Sequence, residues 1–327
     1  MKTLVTGASG FVGTHLVRRL VEKGEDVRIL VRESSDTSAL ADLPVERRVG
    51  DIRDPWAVRE AVHGCGRVYH AAALLDVGIR SYRKIREINV GGAIHVAAAS
   101  RRESVERLVF TSSIAAIGHG TRERPASEDT PFNLGHLRLP YVDSKKEAEE
   151  KILEFHRAGL PIVIVNPAYV FGAGDRKPNS GIYVCLAAKG LNRFSLKGGL
   201  NVVDVDDVVE GHIRAMEVGR PGERYVLGGE NLSYDDFFRL LASVVGRAAP
   251  WMRLPGGVSA IMGGAGDLGS YLFGVDLPIG RATMRFSRLG HYVSSDKARR
   301  ELGMEFGGAR VALEKAFVWF REHGYIG

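Results

Sequence analysis

The sequence predicts an α/β protein, a doubly wound parallel sheet with a smaller C-terminal substrate-binding lobe, on three observations. Three glycines, Gly7, Gly10 and Gly13, stand three apart between an apolar run and a helical pattern. Val- and Ile-rich runs then alternate with helical segments through residue 165. Beyond residue 171 that regularity fades into Gly-rich and polar sequence.

Each element follows from its own pattern. Strands are expected at 2–6, 27–31, 45–49, 67–70, 107–111 and 161–165, where apolar residues run with little alternation, as in strands buried on both faces. Helices are expected at 12–23, 56–62, 88–100 and 144–157, where apolar residues recur at helical spacing. Strands alternating with helices imply right-handed crossovers and helices on both faces of a parallel sheet. The sequence 202–228 returns to this pattern, whereas 172–201 and 229–327 do not. Residues 1–171 and 202–228 therefore read as a dinucleotide-binding domain, and 172–201 with 229–327 as a smaller lobe over the strand ends. In that lobe a helix at 234–245, a loose Gly/Met/Pro segment at 250–280 and a closing helix at 311–323 are expected.

Composition excludes several classes. Hydrophobic residues are 45% and charged residues 26% of 327, ordinary for a globular chain that can bury a large core. The net charge of +6 is scattered, with no basic run suited to nucleic acid. No apolar stretch reaches the roughly 18 residues that span a bilayer. Cys65 and Cys185 lack ligand spacing, so no metal is expected and a reducing, cytoplasmic setting is. The carboxylates of VDVDD read as a strand end leading into a helix cap.

The glycine turn is where a pyrophosphate can sit, because glycine permits close backbone approach and a helix N-terminus offers unpaired N–H groups. The second strand ends in Val31-Arg32 rather than in the acid that holds a ribose 2′-hydroxyl. Arg32 suits a 2′-phosphate, which favours NADP(H), with NAD(H) the alternative. Tyr141 and Lys145 stand four apart and share a helix face. An ammonium there is expected to lower the phenol toward the range needed for acid–base work on a carbonyl or alcohol. Thr111, Ser112 and Ser113 supply hydroxyls at a strand end. The apolar 258–279 segment could line a pocket for a hydrophobic substrate, form core, or touch a membrane; Asp267 and its glycines argue against a spanning helix.

Taken in this order, the motifs resemble the extended short-chain dehydrogenase/reductase superfamily, with its Rossmann-type sheet, over nearly the whole chain. TGASGFVG resembles its glycine loop and implies that Gly7, Ser9, Gly10, Phe11, Val12 and Gly13 hold the pyrophosphate. GDIRDP implies that Asp51 faces the adenine amine and Ile52 packs on the ring; VYHAAA places Ala71, Ala72 and Ala73 under the cofactor. Asn89 matches a residue that supports the active site. FTSSIAAIG and YVDSK make Ser113, Tyr141 and Lys145 the catalytic set, and NPAYVFGAGD sets Pro167, Ala168 and Val170 beside the nicotinamide. Within the superfamily the chain is similar to dihydroflavonol-4-reductase-like carbonyl reductases and to NAD-dependent epimerases and dehydratases, including hopanoid-associated sugar epimerases. Sugar-nucleotide enzymes commonly carry an acid after strand two and an arginine before the VxVxD segment. Here stand Val31-Arg32 and Asn201, although Lys197, Arg193 or Arg281 could hold a diphosphate instead. The expected activity is reduction of a small, hydrophobic ketone or aldehyde, the alternatives being a sugar-nucleotide epimerase or dehydratase and a non-catalytic cofactor-binding regulator. The resemblance also suggests a homodimer through the helices near 90–100 and 145–157.

Overall fold

The structure, a computed structural model, describes residues 1–75, 81–273 and 280–326. The first elements are β1 (Lys2–Thr6), α1 (Phe11–Glu22), β2 (Asp26–Val31), β3 (Glu46–Val49), α2 (Pro55–Val62), β4 (Cys65–His70), α3 (Tyr82–Arg86), α4 (Gly92–Arg102) and β5 (Arg107–Thr111). Then come α5 (Pro140–Arg157), β6 (Ile162–Pro167), β7 (Tyr169–Phe171), α6 (Ile182–Ala188), β8 (Phe194–Ser195), β9 (Gly199–Asp204), α7 (Val205–Val218) and β10 (Arg224–Leu227). The chain closes with β11 (Glu230–Ser233), α8 (Tyr234–Val245), β12 (Met252–Arg253), α9 (Gly256–Phe273), α10 (Arg281–Ser287), α11 (Asp296–Leu302) and α12 (Ala309–Glu322).

Among the described residues, the main sheet has seven strands in the order β10-β6-β5-β4-β1-β2-β3, and every neighbouring pair is parallel. The order reverses between β1 and β4, the place where open α/β sheets bind ligands at their carboxyl ends. Val5, Ile29, Val109 and Val163 bury one face of the sheet under α1 and α7. Leu4, Val68, Leu108 and Ile162 bury the other under α2, α4 and α5. Both faces are therefore apolar, which is why these strands read as continuous Val/Ile runs. The edge strand β3 is the exception: Arg47, Arg48 and Val49 are exposed, as charged edges that resist further pairing commonly are.

A second core packs Phe171, Leu200, Val202, Phe237, Leu313 and Phe320 between α6, α8, α12 and the three-stranded sheet β11-β9-β7. Strand β9 runs through the expected boundary at 201/202, and its last residue, Asp204, caps α7 through Asp206 N–H. The Asp204 and Asp206 carboxylates both receive the Lys315 ammonium of α12, at 2.7 and 2.6 Å, which ties the two cores together.

Two expectations need correction. The segment 250–280 is not loose: α9 runs through Gly256–Phe273 and packs against α10. A side chain at Gly263 would come within 2.9 Å of the Arg281 backbone, so glycine there permits the close crossing. Residues 274–279 of that segment and the Asp267 side chain lie outside the described residues. The helix expected at 88–100 begins instead as a π-turn over Glu87–Gly91, which leads into α4.

Candidate active site

Parallel register brings the separate motifs to one edge. Thr6 of β1 pairs with Leu30 of β2 and His70 of β4, Val31 with Val49, His70 with Phe110, and Thr111 with Val165. The residues that follow each strand therefore line up: the glycine turn, Arg32, Asp51-Ile52, Ala71–Ala73, Ser113 and Pro167 with Ala168 and Val170.

The glycine turn is shaped by close approach. Gly7 has φ +74°, and a side chain there would lie 2.5 Å from Ala72 N. A side chain at Gly13 would overlap the Gly7 carbonyl oxygen. Gly10 opens α1 with no side-chain cap, while Ser9 and Gly10 are exposed and Phe11 and Val12 half-buried. An uncapped helix start behind backbone that tolerates no side chains fits a bound pyrophosphate. The residues present thus fit a dinucleotide.

At the adenine end, Arg32 is exposed and its charge helps hold the Asp51 carboxyl below its usual range; the larger cause is the hydrogen-bonded Arg53 guanidinium. Arg53 Nη2 lies 2.8 Å from Asp51 Oδ2 and Arg53 Nε 3.0 Å from Oδ1. Asp51 thus pairs with Arg53, and the two line a surface cavity of about 540 Å³ with Asp54, Glu87, Gly91 and His95. Ile52 packs against Gly92, and its carbonyl accepts the His95 Nδ1 hydrogen at 2.9 Å.

At the other end, Pro140 occupies the first turn of α5, so the helix starts four residues earlier than expected and carries both Tyr141 and Lys145. Tyr141 is half-buried among Leu139, Val142, Phe132 and Phe286, and hydrogen-bonds Ser113. Burial pushes its phenol above the usual tyrosine range, and the Ser113 bond offsets only part of this. The expected lowering by Lys145 is corrected here. Lys145 is 3% exposed, donates to the Thr111 carbonyl at 3.0 Å and lies 5.7 Å over the Phe110 ring. Burial lowers it to about 8, with Glu149 one turn on pulling the other way.

Sequence reasoning missed the groups that fix this lysine. His212 Nδ1 donates to Val208 O at 2.7 Å, so its Nε2 accepts from Thr111 Oγ1 at 2.9 Å. Burial holds His212 at about 4, hence neutral, and the chain His212–Thr111–Lys145 aims the carbonyl that receives the ammonium. These residues lie 101 positions apart, and no spacing rule links them. Asn89 was legible; its side chain spans Leu74 O at 3.0 Å and Ser144 Oγ at 2.9 Å, and Ser144 donates to Tyr141 O. It thus braces the first turn of α5 from the π-turn. Asn201 is fully buried and spends its side chain on Asn231 and Gly229 N–H.

A dinucleotide trough ending in a hydroxyl, a phenol and an amine is the layout of a nicotinamide-dependent oxidoreductase, and this protein is an NAD(P)-dependent oxidoreductase of the extended short-chain dehydrogenase/reductase type. The chain belongs to the NAD dependent epimerase/dehydratase family, whose model matches residues 3–228. Members of that family bind a nicotinamide dinucleotide. The chain is 35% identical to sterol demethylase protein B of Methylococcus capsulatus, covering all of both chains. It is 33% identical to a putative dihydroflavonol 4-reductase of Synechocystis, over 98% of this chain and 95% of that one. The crystal structure of gox2253 superposes with a TM-score of 0.89 at 37% identity, over 99% of each chain. Among the described residues, no helix is long and apolar enough to cross a membrane.

Proposed function

We propose that this enzyme reduces the carbonyl of a small, apolar ketone or aldehyde with NADPH, Tyr141 giving the proton. The cofactor supplies the hydride. The amides of residues 9–12 hold the pyrophosphate, Arg32 meets the 2′-phosphate, Ala71–Ala73 lie beneath the dinucleotide, and Pro167, Ala168 and Val170 flank the nicotinamide. Ser113 and Tyr141 grip the carbonyl oxygen. As the carbon accepts hydride, the phenolic proton moves to that oxygen, and Lys145, one helical turn on, would anchor the cofactor ribose. Solvent then reprotonates the phenol.

The arrangement that supports this reading is Ser113 after β5 beside Tyr141 in the first turn of α5, with the phenol in a buried setting that favours its protonated form. A phenol kept protonated through neutral pH is in the state a proton donor needs. Arg32 in place of a ribose-binding acid supports NADPH, and the commitment of Asn201 to Asn231 and Gly229 removes it as a substrate-phosphate ligand. The test is cofactor content on purification, followed by NADPH absorbance with a panel of aliphatic and aromatic ketones and aldehydes. The reading expects cofactor that washes out, and NADPH consumed in step with product. Stoichiometric NAD retained through purification, with turnover lacking net oxidation, would assign the epimerase chemistry instead.

A further inference from the structure

The smaller lobe carries a face that neither the fold nor the proposed reaction uses. Leu191, Phe194, Trp251, Met252, Ile261 and Met262 are all exposed; Trp251 and Ile261 are each 74% exposed and Leu191 61%. Phe194, Trp251 and Met252 are neighbours in space, and Leu191, Ile261 and Met262 lie within ten residues of them along the chain. β8 and β12 pair Phe194 with Met252, the Phe194 and Trp251 rings lie 6.0 Å apart, and Leu191 lies three residues before β8. Helix α9 begins three residues after β12 and shows Val258, Ile261 and Met262, one helical stripe. Contiguous apolar surface of this kind marks an interaction site.

Charge identifies the partner. The stretches 182–203, 246–266 and 280–295 contain eight Lys or Arg and no Asp or Glu, and of the eight Arg253 is paired with Asp235 of α8, which lies beside Trp251. The net charge of the chain is +6, so the rest of the molecule is negative by two. Lys189, Arg193 and Lys197 are exposed beside the apolar residues. Large apolar side chains rimmed by cations match the boundary of an anionic bilayer, where the apolar groups enter the acyl region and the cations meet headgroups. A second copy of the chain would set the same cationic face against itself in a twofold pair.

We propose that this face docks the protein on anionic lipid membranes, lying on the surface and not spanning it. Helix α10 connects the face to the candidate site: it packs against α9, and its Ala282 and Phe286 pack in the cluster that holds Tyr141. An apolar carbonyl compound dissolved in the bilayer would then enter beside Tyr141. That consequence rests on the proposed reductase reading, whereas docking itself does not.

The test is flotation of the full chain with vesicles of equal parts phosphatidylcholine and phosphatidylglycerol, against vesicles of phosphatidylcholine alone, with Trp251 emission followed on the same samples. Binding to the anionic vesicles, a blue shift absent from Trp251→Phe, and release by added salt are expected. The paired variants Trp251→Ser/Ile261→Ser and Lys189→Glu/Arg193→Glu should each lower partitioning about tenfold or more, with unchanged melting temperatures. Intact protein that stays with the soluble fraction overturns the proposal. So does equal binding by both variants and parent, or self-association that Trp251→Ser/Ile261→Ser abolishes in a chain that binds no vesicles. None of these readouts depends on turnover, so a failure here is distinct from a failure of the reductase reading.

Discussion

At the adenine end of the cleft, Arg53, Asp51 and Arg32 stand at the surface, and the Asp51–Arg53 pair is formed between residues two apart in sequence. At the chemical end, Lys145 is almost wholly buried, and its fixing partners come from β5 and α7. Water screens the first set, so its charges act as replaceable contacts. Burial governs the second set: it raises Tyr141, lowers Lys145 to about 8 and keeps His212 neutral. Equal changes of charge should therefore cost little at one end and much at the other.

The largest effect expected from that contrast is at Tyr141. Tyr141→Phe removes the proton donor and the Ser113 bond while keeping the ring in its cluster with Leu139 and Val142. Turnover should fall about a thousandfold, and NADPH affinity, measured by fluorescence titration, should stay within a few-fold. Wild-type turnover in this variant would remove the chemical end from the comparison altogether.

The next effect is on stability, and its sign runs against intuition. Lys145 releases its proton near 8 in the folded chain but near 10.5 when unfolded. Between those values the unfolded chain binds more protons, so wild-type stability rises with pH across that window. Below pH 8 the full penalty of a buried ammonium is present. Lys145→Met removes it at the loss of one hydrogen bond to Thr111, a net gain on the order of 2 kcal/mol at pH 7. Melting temperatures of the two proteins should converge as pH rises from 8 to 10.5. Activity should be lost at every pH. A variant less stable than wild type at pH 7 would mean that the Thr111 and Phe110 contacts outweigh desolvation.

Much of this was legible in the sequence because the main sheet is buried on both faces. Strand β1 was read to the residue, and β5 likewise, since apolar runs bounded by turns leave little choice. The amphipathic α8 was equally clear, with Ser233 capping it through Asp236 N–H. Helix α9 was not, because its glycines lower helix propensity while serving the close crossing with α10, a tertiary reason that no local pattern carries. Of the site, the residues at strand ends were found by motif and collected by register. What stayed hidden were the contact between distant residues that sets His212 on Thr111 and the balance of burial against charge at Tyr141. The last is a property of packing, and spacing on a helix supplies only the opportunity for it.

The smallest effect should fall on Arg32, and it sharpens the contrast through salt. An exposed guanidinium meeting a 2′-phosphate is worth about 1 kcal/mol after screening, so Arg32→Ala should raise the KM for NADPH about fivefold at low ionic strength. The KM for NADH, which has no 2′-phosphate, should barely move. Raising the salt weakens the wild-type contact toward the variant, so the difference should shrink as ionic strength rises. At the buried end the same salt should leave the Tyr141→Phe deficit unchanged, because ions do not reach it. An Arg32→Ala effect that is large, salt-independent and equal for both cofactors would show that Arg32 does not act as a 2′-phosphate contact.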